Sequence, residues 1–122
     1  MKTNELSGAA LDWAVAKSEL LSGADYTLAI DRDVDGKLRI NFGGMYPEWS
    51  TDWTEGGAII ERERIELMPT SHMEWDAYKQ NQHIPNTAAT PLVAAMRCYV
   101  ASCLGDDVEL PEELDISQTM KR

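Results

Sequence analysis

Apolar residues recur at helical spacing in two stretches of the chain. In the first, Ala10, Leu11, Ala14, Val15, Ser18 and Leu21 form one face, widened by Trp13, Ala16 and Leu20. Ser7 stands where a cap belongs, Leu6 and Leu11 have the spacing of a hydrophobic staple, and Gly23 supplies a stop. The second stretch is bounded more sharply. Thr90 suits the cap, Pro91 the first helical position, where its missing N–H costs nothing, and Gly105 the end. Between them Leu92, Ala95, Met96, Tyr99, Val100 and Cys103 predict the buried face of a helix.

Alternation replaces the helical period between residues 26 and 42. YTLAI at 26–30 and KLRINF at 37–42 read as strands, the second placing Leu38, Ile40 and Phe42 on one side. The turn Asp31 to Gly36 joins them into a β-hairpin. A loop from Gly43 to Trp49 leads to Ser50, Thr51 and Asp52, all residues suited to helix caps. Asp52 with Glu55 has the spacing of a reciprocal capping pair, and Trp53, Gly57 and Ile60 follow at helical intervals. A short helix over about 52–63 and a strand over 65–68 result, the competing reading being one strand over 58–67. The segment 69–90 is polar and broken by Pro69 and Pro85, with a short strand at 75–78.

These elements predict an α+β fold: a single small domain with an antiparallel or mixed sheet packed with two longer helices and one short helix. The compact part spans 1–105, and 106–122 form an acidic C-terminal extension, partly packed and partly mobile. At 122 residues one hydrophobic core suffices without metal or disulfide staples. No apolar run approaches the length of a membrane span, and the first residues lack the apolar segment of a secretory signal. The sequence thus reads as soluble and intracellular.

Charge narrows the partners. Twenty-one acidic against 11 basic residues give a formal net charge of -10, and six acids between Asp106 and Asp115 are unaccompanied by Lys or Arg. Direct nucleic-acid and membrane binding are disfavoured, whereas a basic protein surface fits. Cys98 and Cys103, five apart on a helix, diverge by about 140° and are ill placed to pair or chelate together. With only His72 and His83 elsewhere, a zinc site is not expected.

Three stretches are candidates for chemistry. Asp31, Asp33, Asp35 and Gly36 match the opening of a calcium loop, but its twelfth position is Phe42 where a bidentate Glu belongs, so a solvated turn is the simpler reading and no metal site is assigned. Glu61 to Arg64 alternate in sign as a solvent-facing surface does. The stretch YPEWSTDWTEGG is the third. Tyr46, Trp49, Ser50, Thr51, Asp52, Trp53, Gly56 and Gly57 combine aromatic area, hydroxyls, a carboxylate and two side-chain-free positions, a mixture suited to a ligand or a partner peptide. The alternative is structural: Trp53 packs down, Trp49 reaches back from the loop, and both close the core.

LSGAALDWAVAKSE, STDWTEGGAIIERERIEL and TPLVAAMRCYVASCLGDDVELPEEL together resemble the lambdoid phage NinX family, small proteins of uncharacterised function. The family is similar in turn to small phage αβα-sandwich domains that share a Leu-Asp helix opening and a Ser-Thr-Asp segment, positions met here by Leu11-Asp12 and Ser50-Thr51-Asp52. The resemblance brings no catalytic residue and no cofactor. It implies a phage accessory protein acting in the bacterial host cytoplasm, non-enzymatic, with a host or phage protein as partner. Alternatives are a small-molecule sponge or sensor and an enzyme whose site is completed by oligomerisation.

Overall fold

Both long helices form where their caps and stops place them. Helix α1 spans Gly8–Leu21 behind Ser7, and α3 spans Pro91–Leu104, with the Thr90 hydroxyl accepting the Val93 N–H at 3.2 Å. The computed structural model describes residues 1–80, 82 and 84–115; residues 116–122 of the acidic extension, and His83, lie outside them. Leu92, Ala94, Ala95, Met96, Cys98, Tyr99 and Val100 are all buried on α3, spread over about two thirds of its circumference. An apolar arc that wide marks a central helix. It packs on α1 along one side, on α2 (Trp53–Glu63) along another, and on a sheet along a third.

The antiparallel β-structure is divided between two sheets. In the hairpin, β1 (Leu28–Arg32) pairs with β2 (Leu38–Phe42) from Leu28↔Phe42 to Arg32↔Leu38. Strand β1 ends two residues later than alternation alone suggested, and the cause is Asp33. Its carboxylate accepts the N–H groups of Asp35 and Lys37, both at 2.9 Å, and this tight turn leaves Asp31 and Arg32 to the ladder. The second sheet has the order β3 (Glu66–Pro69), β4 (Trp75–Tyr78) and β5 (Asn86–Ala88). The hairpin packs through β2 on α1, α1 packs on α3, and α3 packs on β4 and β5. Two helices therefore separate the two sheets.

Helix α2 excludes the single strand over 58–67. Asp52 caps it by accepting the Thr54 N–H at 2.9 Å, but Glu55 does not return the bond to Asp52; its carboxylate accepts the Glu48 N–H at 3.2 Å instead. Nor is the run Glu61 to Arg64 simply solvated. Arg62 pairs with Glu19 of α1 at 2.6 Å, Glu63 takes Lys79 at 2.8 Å, and the Tyr99 hydroxyl donates to Glu19 at 2.6 Å. Burial and then the Glu19 bond raise the Tyr99 phenol above its ordinary range, while Lys79 and Arg62 hold the Glu63 carboxyl below its own. At the C-terminal end of α1, Leu21 is exposed rather than on the buried face.

The chain closes on itself end to end. The Thr3 N–H donates to the Asp106 carbonyl at 2.8 Å, its hydroxyl to that of Gly105 at 2.6 Å, and the Val108 N–H to that of Met1 at 2.9 Å. Val108 and Leu114 enter the core, whereas every acidic residue from Asp106 to Asp115 is turned outward.

Candidate functional site

The loop from Gly43 to Asp52 is held to the body of the protein by two buried groups. Trp49 is 7% exposed and meets Phe42 edge-on at 5.6 Å between ring centroids, plugging the space between hairpin and helices. One residue on, the buried Ser50 donates its main-chain N–H to the carboxylate of Asp12 at 2.8 Å. Asp12 lies on the inward arc of α1 and is itself 6% exposed. Burial pushes its pKa up to about 6, against the opposing pull of the Ser50 N–H. The Ser50 hydroxyl is buried and not in hydrogen-bonding geometry with any described residue, so the main-chain bond is the one that fixes the loop. The Leu-Asp and Ser-Thr-Asp segments, 38 residues apart, thus meet as a single lock.

The candidate residues fall on two sides of this lock. Trp49, Ser50 and Gly56 face inward; Tyr46, Thr51, Asp52 and Trp53 face solvent. The two tryptophans divide between the two readings, Trp49 closing the core and Trp53 standing outside it. Trp53, the first residue of α2, is 54% exposed, because the helix begins there and turns that position away from α3. Gly56 admits no ligand on its packed side: a Cβ there would collide with the Trp49 carbonyl and lie 2.5 Å from Leu92 Cδ1. Gly57 has room: a Cβ there would meet only the Trp53 ring, at 3.7 Å.

Tyr46 belongs to a second cluster, on the outer face of the hairpin. Its hydroxyl donates to Asp31 at 2.8 Å, the Asn41 amide donates to the same oxygen at 2.9 Å, and the Arg39 guanidinium sits 3.9 Å over its ring. The Asn41 and Tyr46 bonds hold the Asp31 carboxyl below its usual range, and the bond to Asp31 raises the Tyr46 phenol. Beside them runs a cleft of about 260 Å³ lined by Lys37, Leu38, Arg39, Ile40, Tyr46 and Glu48, among others. The sequence reading passed over Arg39, Lys37 and Glu48. The signal was the alternation of β2, which puts Arg39 on the polar face opposite Asp31.

Asp31, Asp33 and Asp35 are not gathered around a common point. Asp31 binds Tyr46 and Asn41, Asp33 folds back on its own turn, and among the described residues no group of three or more His, Cys, Asp or Glu side chains could hold a metal ion. No described helix is long and apolar enough to cross a membrane.

Comparison with protein families gives a match to the model for bacteriophage P22 NinX over residues 2–103. The chain belongs to the NinX family. The match takes in α1, the hairpin, the Asp12–Ser50 lock, α2 and nearly all of α3, so the lock is part of the NinX region of this chain. No curated protein matches it. The family has no characterised function.

Proposed function

We propose that this NinX-family chain is a non-enzymatic accessory protein that binds another protein, of host or phage origin, in the cytoplasm of the infected bacterium. The observation that carries the reading is Trp53. A tryptophan more than half exposed at the start of a helix leaves a large apolar surface in water, and such surface marks interaction sites. Its surroundings are acidic: Asp52 precedes it and Glu55 follows two positions on. A ring beside carboxylates suits a partner presenting Lys or Arg. The outward acids of 106–115 on a chain of net charge -10 favour the same class of partner.

The test is capture of partners from infected cells with tagged wild-type chain and the Trp53→Ala variant, thermal melts serving as the folding control. The expected result is one reproducible partner with a basic surface, lost from the folded variant and weakened by salt. Equal recovery of the same proteins by both chains would refute the role of this surface.

A further inference from the structure

We infer that the cleft beside β2 binds the end of an extended peptide chain, pairing with its backbone and receiving its terminal carboxylate. The backbone argument comes from register. The Asp33 N–H donates to the Lys37 carbonyl and the Gly43 N–H to that of Thr27, both at 2.9 Å. Ladder bonds alternate along an antiparallel pair, so Asp31↔Arg39 and Ala29↔Asn41 are the hydrogen-bonded pairs. Leu38, Ile40 and Phe42 consequently turn their N–H and C=O groups away from β1. For Phe42 those groups are met: its N–H donates to the Met45 carbonyl at 2.8 Å and its carbonyl accepts from Met45 at 3.2 Å. Leu38 and Ile40 find no such partner among the described residues. Main-chain groups left unpaired on a strand edge are a template for a further strand. The edge of β2 is therefore a ladder begun by Met45 and left open for two positions.

The carboxylate argument comes from charge. Lys37 and Arg39 line this cleft beside Asp33 and Glu48; the Asp33 carboxylate is taken up by the N–H groups of its own turn, and neither cation forms an ion pair among the described residues. Arg39 is oriented by the Tyr46 ring, and its Nε is buried without a hydrogen-bond partner. A planar guanidinium held in place with unclaimed donors is suited to a carboxylate. A free inorganic anion would satisfy the cations and leave the strand edge unmet; a peptide end meets both. Strand addition with capture of a chain terminus is an established mode of peptide recognition.

The inference is independent of the Trp53 surface, and its test separates the two. Amide shifts of the labelled full chain are followed while N-acetyl-Val-Thr-Val is added, first as the free acid, then as the carboxamide. Sodium acetate and inorganic phosphate serve as separate probes. The free acid should give saturable shifts at Leu38 and Ile40, with Kd rising about tenfold for the carboxamide and for the Arg39→Gln and Lys37→Ala variants. Trp53→Ala should leave these shifts unchanged. The same spectra report whether each variant is folded. Absence of saturable shifts at millimolar peptide, equal binding of the carboxamide, or full reproduction of the shifts by acetate or phosphate would overturn the proposal.

Discussion

Replacing Asp12 by Asn should stabilise the protein at neutral pH. A carboxyl whose pKa is 3.8 in the unfolded chain and about 6 in the fold favours folding most when protonated. That contribution is complete below pH 3.8, declines as pH rises, and is gone above about 6. The difference amounts to ~3 kcal/mol, at ~1.4 kcal/mol for each pH unit between the two values. Asn mimics the protonated acid: its carbonyl accepts the Ser50 N–H, and its amide offers a donor to the Ser50 hydroxyl, which has none. Urea unfolding at pH 7.5 should show Asp12→Asn more stable than wild type by up to ~3 kcal/mol, with the gap closing towards pH 4. Asp12→Ala, which strands the buried Ser50 N–H, should instead cost about 1–3 kcal/mol. If Asp12→Asn were as destabilising as Asp12→Ala at pH 7.5, the charge would be an asset of the fold and the burial argument would be wrong.

The adjacent glycines of α2 should respond in opposite directions. Gly56→Ala should lose about 1–3 kcal/mol in thermal or urea unfolding, because its methyl group meets the Trp49 carbonyl and Leu92, whereas Gly57→Ala should gain up to ~1 kcal/mol from helix propensity alone. The two thiols should differ in reactivity: Cys98 is buried, donates to Gln82 at 3.0 Å and has its pKa pushed up to about 11, so a thiol reagent at pH 8 should label half-buried Cys103 first. Equal labelling rates would show that α3 opens readily. Tyr99→Phe should cost about 1–2 kcal/mol by removing the hydroxyl that joins Glu19, Ser22 and Arg62, measured by urea unfolding.

Local chemistry in the sequence accounts for the parts of the fold that depend on neighbours along the chain. Thr90, Pro91 and Gly105 bound α3, Asp52 caps α2, and the alternation of Leu38, Ile40 and Phe42 makes β2, each through groups a few residues apart. Strand β5 escaped because Asn86–Ala88 carries no β pattern of its own. It is held from outside, by Thr87 donating to Asp76 at 2.6 Å and Arg97 donating to the Thr87 carbonyl at 2.8 Å. The site was legible as a segment and not as an arrangement. Which of Trp49 and Trp53 is buried depends on where α3 lies, and the partner of Ser50 is a carboxylate 38 residues away on the inner side of α1. Arg62, read as surface, belongs to an ion pair with α1 for the same reason: its partner is 43 residues distant.

Helix α3 is made last among the large elements, yet α1, α2 and the three-stranded sheet all rest on it. Before it forms, those elements have no common surface against which to bury their apolar faces. The Thr3 to Gly105 bond spans 102 residues and can close only after that. Contacts this distant in sequence slow folding. Deleting α3 should consequently abolish the cooperative thermal transition of the chain.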